Sequence, residues 1–157
     1  MTGILQLLTT FHGRINRARW WIGFIITGFG GMIGTLMFNP ELLTSEGVYT
    51  PNWPDTLWQI AWLVPFTAIV TKRCNDRDWP SWVPWLVPAL CALVYLSPHF
   101  GFDVDPEAGF AGALTFWVVV VALVAVIVDN GFIRGTRGPN RYGPDPYAPG
   151  NLEEVFG

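Results

Sequence analysis

The sequence predicts an all-α integral membrane protein: a four-helix bundle with short cytoplasmic polar segments and both N- and C-termini in the cytoplasm. Three observations carry this expectation. Of 157 residues, 51% are hydrophobic and only 13% charged, a balance unusual for a chain dissolved in water. Four apolar runs recur at lengths near that needed to cross a bilayer. The 9 Lys and Arg residues all fall in alternate segments between those runs.

Ahead of the first run, Ile4, Leu5, Leu7, Leu8 and Phe11 recur at near-helical spacing, which predicts a short interfacial helix over 3–11. No basic residue precedes them and no small-residue cleavage site follows, so the segment reads as retained and not as a signal peptide. The first span, 20–38, is uncharged and matches the roughly 20 residues that cover about 30 Å of hydrocarbon. Within it Gly30 and Gly34 form a small-xxx-small pair, which predicts a face packed against another helix. The second span, 56–71, is short. Trp53 and Trp58 are expected at headgroup level, and Pro65 is expected to kink it. The third, 81–96, opens with Pro80 and Pro84, where a missing N–H costs little; Pro88 is expected to bend it. The fourth, 110–128, contains a Val-rich stretch that would suit a buried strand in water, but its uncharged length favours a membrane helix. Residues 1–146 thus form a single transmembrane domain, and 147–157 an irregular tail. A re-entrant second or third segment is the alternative.

Charge placement sets the orientation. Arg14, Arg17 and Arg19 precede the first span; Lys72, Arg73 and Arg77 lie between the second and third; Arg134, Arg137 and Arg141 follow the fourth. The two remaining loops carry only acidic charges, including Glu41, Asp55, Asp103, Asp105 and Glu107. The positive-inside rule therefore places both ends and the middle loop in the cytoplasm, and an even number of spans is needed to keep every loop consistent.

Three polar clusters meet on that side: Gly13-Arg14-Ile15-Asn16-Arg17-Ala18-Arg19-Trp20-Trp21, Lys72-Arg73-Cys74-Asn75-Asp76-Arg77-Asp78-Trp79, and Gly138-Pro139-Asn140-Arg141-Tyr142-Gly143-Pro144-Asp145-Pro146. In these the chain resembles the bacterial family catalogued as domain of unknown function 805. Its patterns run Gly-Arg-x-x-Arg-x-x-Phe/Trp-Trp, Arg-Arg-x-His-Asp and Gly-x-Asn-x-Tyr-Gly-x-Asp-Pro. The first and third match closely, and the resemblance extends from about Phe11 to Pro146. The middle one departs: Asn75 stands in place of the His, and Trp82 follows Ser81 directly where the family often has a Gly. A role requiring that imidazole is not carried over. The resemblance implies a small bacterial inner-membrane protein of unestablished activity.

From the residues themselves, Asn16 is placed to cap the first span. Arg17 and Arg19 sit in the first turn, where the helix dipole disfavours cations, so acidic side chains or lipid phosphate must compensate them. Two readings of the arginine clusters follow. Gly13, Asn16, Asp76, Asp78, Asp129 and Gly143 are expected to form a structural clasp with the arginines and to cap the helix ends. Alternatively, Arg14, Arg17, Arg19, Lys72, Arg73, Arg77, Asn140, Arg141 and Tyr142 bind an anionic lipid or a partner protein.

Asn140-Arg141-Tyr142-Gly143 has turn chemistry and lacks the spacing of a phosphate-binding loop. His12 and His99 fall on opposite sides, and Cys74 and Cys91 read as free thiols, so neither a metal site nor another cofactor is expected. No catalytic constellation is visible, and the basic residues are explained by topology without nucleic acid. The expected function is that of a non-enzymatic membrane component, associating with anionic lipid, with a membrane protein partner or with copies of itself. A small oligomeric transporter or channel is the alternative.

Overall fold

The computed structural model describes residues 3–44 and 49–148. Its helices are α1 (Ile4–Thr9), α2 (Arg17–Phe38), α3 (Trp53–Asp76), α4 (Leu86–Leu96) and α5 (Gly109–Phe132). Short 3₁₀ turns at Pro40–Leu43, Val83–Trp85 and Ser97–Phe100 complete the chain. The tail expected at 147–157 lies outside the described residues from 149 onward.

Two asparagines start the central pair. Asn16 Oδ1 accepts from the Arg19 N–H at 2.9 Å at the start of α2, and Asn52 Oδ1 accepts from the Asp55 N–H at 2.9 Å at the start of α3. Each satisfies one of the amides that a helix start leaves without a partner. These helices pack antiparallel along a groove of glycines. A Cβ on Gly30 would overlap the Trp62 ring, and one on Gly34 would overlap Trp58. The indoles also bond to the exposed backbone of α2: Trp58 Nε1 donates to the Gly30 carbonyl at 3.0 Å, and Trp62 Nε1 to that of Thr27. Trp58 is therefore part of a helix contact. Lipid tails are as apolar as leucine, so helices associate through close packing and polar contacts of this kind.

Pro65 lies within an α3 that runs without interruption from Trp53 to Asp76. Pro88, expected to bend the third span, instead falls in the first turn of α4, because the preceding residues form a 3₁₀ turn and the α-helix begins only at Leu86. There its missing N–H has no intrahelical role to lose.

The distribution of polarity is inverted relative to a soluble protein. Asn16, Thr27, Asn39, Asp55, Thr56, Arg73, Asp76 and Asn130 are buried. On α5, Phe110, Leu114, Trp117, Val121, Val124 and Val128 are exposed at alternating steps of four and three residues, one continuous apolar stripe facing outward. Three segments, Arg17–Phe38, Val83–Phe100 and Gly109–Phe132, are long and apolar enough to cross a membrane. Among the described residues α3 is not in that set despite its 24 residues. It opens with Asp55 and closes with Lys72, Arg73, Cys74, Asn75 and Asp76, all of which are buried.

Candidate functional site

The three polar clusters converge at one end of the bundle, where Asp76 is the hub. Its side chain is 1% exposed and lies between two guanidiniums. Arg14 Nε donates to Oδ1 at 2.9 Å, and Arg14 Nη2 approaches the same oxygen at 2.8 Å; Arg73 Nη1 pairs with Oδ2. The remaining Arg14 donors reach into the C-terminal loop: Nη1 to the carbonyls of Gly138 (2.8 Å) and Gly143 (3.2 Å), and Nη2 to that of Thr136 (2.7 Å). Four hydrogen bonds and a second carboxylate contact thus surround this guanidinium. Such pairing is what makes a buried charge tolerable.

A second set of contacts closes the C-terminal end of α5. The last four carbonyls of a helix have no intrahelical donor, and the end carries partial negative charge. Here each finds a donor from elsewhere. Arg77 Nη1 bonds to the Asp129 carbonyl, Arg73 Nε to Asn130 (2.7 Å), Trp21 Nε1 to Gly131 (3.3 Å) and Arg17 Nη1 to Phe132 (3.1 Å). Arg77 also pairs with the Asp129 carboxylate at 2.8 Å. The cation in the unfavourable first turn of α2 is therefore offset by the favourable last turn of antiparallel α5. Lys72 acts likewise on α1, its Nζ donating to the carbonyls of Gln6 (2.9 Å) and Leu7.

The loop after α5 folds back beneath the helix ends. Thr136 donates through both its amide (2.8 Å) and its hydroxyl (3.0 Å) to the Asp76 carbonyl. Asn140 Nδ2 donates to the Asn75 carbonyl at 2.9 Å, and Asn75 Nδ2 in turn to that of Gly13 at 3.0 Å. Gly135 passes so close to Asp76 that a Cβ there would overlap the carboxylate. Gly13, Gly138 and Gly143 adopt positive φ, as does Asp78 at 57°; the turns they form need backbone that most residues avoid. Asp145 closes the loop by accepting from the amides of Tyr147 and Gly138, at 2.9 Å each. These two amides, Tyr147 first, hold its carboxyl below the usual range.

Of the residues singled out from the sequence, Arg14, Lys72 and Arg73 lie inside, with their donors on carbonyls and Asp76. Arg77 is half-buried against Asp129. Arg141 pairs with Asp78 at 3.0 Å on the surface and lies over the Tyr142 ring, whose hydroxyl donates to the Trp79 carbonyl at 2.7 Å. Arg17 is exposed and Arg19 partly so. Arg134 and Arg137, not singled out for this role, are exposed at the same end. Sequence reasoning also missed Trp21, Asn130, Gly135 and Thr136. Asn130 and Gly131 carried a faint signal as helix-ending residues next to Asp129.

A model of the family described as a protein of unknown function, DUF805, matches residues 8–144. Two curated relatives come from Escherichia coli strain K12. "Inner membrane protein YhaH" is 26% identical over 147 residues, covering 91% of this chain and 92% of the relative. "Uncharacterized protein YiiR" is 28% identical over 142 residues, covering 90% of this chain and 89% of the relative. No solved structure matches the chain.

Proposed function

Because this chain belongs to the DUF805 family of proteins of unknown function, and a relative is named an inner membrane protein, we propose that it is a non-enzymatic, multi-pass inner-membrane component that holds anionic lipid at its arginine-rich end. In this reading α2, α3, α4 with its flanking turns, and α5 all span the bilayer. Both termini are cytoplasmic, as the clustering of every Lys and Arg at one end supports. The buried clasp of Arg14, Arg73 and Asp76 is structural: it fixes the helix ends and the C-terminal loop.

The observation that carries the lipid reading is the division among the cations. Arg14 and Arg73 are consumed internally, whereas Arg17, Arg134 and Arg137 are exposed around the same helix ends. Trp79, Trp82 and Trp85 are exposed at that end as well. Guanidiniums beside indoles suit the level where phosphate headgroups meet acyl chains. A partner protein docking on the same cations is the competing occupant.

The test replaces Arg17, Arg134 and Arg137 together by Gln and measures phosphatidylglycerol retained by the protein extracted in native nanodiscs. Retention should fall several-fold while helix content and insertion stay unchanged. Unaltered phosphatidylglycerol in a properly inserted variant would remove the lipid reading. Loss of a co-purifying protein instead would favour the docking alternative.

A further inference from the structure

The opposite end of the bundle contains a cavity of about 830 Å³ whose wall includes Asp55, Asp103, Asp105 and Glu107. Asp55 is 1% exposed. Its Oδ1 accepts from Thr35 Oγ1 at 3.0 Å and Gln59 Nε2 at 3.4 Å, and its Oδ2 accepts from the Tyr49 hydroxyl at 2.8 Å. Three neutral donors are thus aimed at this carboxylate. Burial, and next the Asp55 carboxylate, push the Tyr49 phenol up to about 12, so it remains a donor. Among the described residues no Lys or Arg pairs with Asp55, and its place in the first turn of α3, where the helix dipole favours a carboxylate, supplies only partial positive charge; His99 at this end bonds to the Thr56 hydroxyl. Asp55 belongs to none of the ion pairs among the described residues, and all 9 Lys and Arg are at the other end of the helices.

The cavity borders a second one. Thr35, Gln59 and Tyr95 line it and also line a second space of about 550 Å³ that runs deeper along α3. That second space is walled by Phe24, Trp62, Phe66 and Leu123 and is mostly apolar. From Asp55 to Phe66 along the helix is about 16 Å at 1.5 Å per residue. The two cavities together place an acidic mouth, the buried Asp55 carboxylate and an aromatic chamber in sequence along α3.

We propose that these two cavities form a binding site for a lipophilic cation, with an ammonium head seated at Asp55 and an apolar chain in the chamber between Phe24, Trp62 and Phe66. The cation supplies a full positive charge beside Asp55 and the acidic mouth, and the aromatic walls accept the chain and stabilise the adjoining positive charge through their ring faces. Asp103, Asp105 and Glu107 draw the ligand towards the mouth. The site is independent of the arginine-rich end and does not rest on its lipid reading.

The test uses the full chain in phosphatidylcholine nanodiscs, with radiolabelled dodecyltrimethylammonium in equilibrium dialysis and empty nanodiscs as the partition background. Saturable uptake above that background is expected. Asp55→Asn should weaken it at least tenfold while leaving dodecanol uptake unchanged. If Asp55→Asn does not insert, the surface variant Asp103→Asn/Asp105→Asn/Glu107→Gln should slow association several-fold and remove its salt dependence. Uptake no greater than that of empty discs, or equal binding by wild type and an inserted Asp55→Asn, would overturn the proposal. So would an unchanged association rate in the surface variant. Calcium binding that requires Asp55, without amphiphile uptake, would replace it with a metal site.

Discussion

Replacing Asp76 with Asn keeps the side chain's shape and removes the charge that two buried guanidiniums share. In the native arrangement Asp76 accepts from Arg14 Nε at 2.9 Å, with Arg14 Nη2 at 2.8 Å and Arg73 Nη1 on the other oxygen, all at about 1% exposure or less. Asparagine retains one oxygen and turns an NH₂ donor toward a guanidinium that can only donate. Removing one member of a buried ion pair costs about 3–5 kcal/mol, because the remaining charge is left uncompensated. At about 1.4 kcal/mol per decade this weakens the closed state by about two to three and a half orders of magnitude. The loss should be local first, since Arg14 ties Thr136, Gly138 and Gly143 to the helix ends. Hydrogen exchange at the amides of Thr136, Asn140 and Gly143 should therefore accelerate about a hundredfold or more, while the middle of α2 and α5 exchanges as before. Arg14→Lys should act in the same direction with smaller effect: an ammonium offers three donors where the guanidinium makes four hydrogen bonds. A change below about 1 kcal/mol for Asp76→Asn, with unaltered exchange in the loop, would refute the assignment of Asp76 as the hub.

The α2/α3 groove should respond to the volume of one methyl group. Gly30→Ala or Gly34→Ala drives a Cβ into Trp62 or Trp58 and should cost about 1–3 kcal/mol in mixed-micelle unfolding, whereas Gly28→Ala meets nothing within 4 Å and should change stability by no more than about 0.5 kcal/mol. Asn75→Ala should loosen the segment around Gly13, because the Asn75 side-chain amide is the donor to the carbonyls of Phe11 and Gly13; Asn75→His, which restores a ring N–H donor, should recover part of the lost protection. The turn closed by Asp145 should depend on pH in a defined sense. Its carboxyl is held low by the amides it accepts from, so its stabilisation is fully present above the ordinary carboxylate range near 3.9 and disappears as pH falls through the lower folded value. Protection of the Gly138 and Tyr147 amides should then persist at pH 5 and fade only below about 3.9, and Asp145→Asn should abolish that dependence.

Much of the architecture is legible in the sequence because the bilayer imposes one-dimensional constraints. A helix must be long enough to cross about 30 Å of hydrocarbon and apolar enough to enter it, and 17–38, 83–100 and 109–132 meet both conditions. The Asn16 cap is a local device readable from its position before an apolar run, because the bond spans only three residues. The gathering of the charged clusters at one end follows from their placement between antiparallel helices. What each arginine does there is not a local property. Arg14 reaches across 122 to 129 positions to the carbonyls of Thr136, Gly138 and Gly143, and Arg73 across 57 to Asn130. No spacing rule encodes such partners. Only the tertiary structure distinguishes the buried Arg14 from the exposed Arg17, three residues along. Trp58 shows the same limit, since its seat against Gly34 and its bond to the Gly30 carbonyl join residues 24 and 28 positions apart. Asp55 shows it most plainly: in sequence it is one more acid in an outer loop, and its burial within reach of Thr35 and Gln59 arises only when α3 begins two residues before it and packs along α2. Solvent determines which segments become helices and where their charges collect, through periodicity and length; the pairing of those charges is set by contacts between residues far apart in the chain.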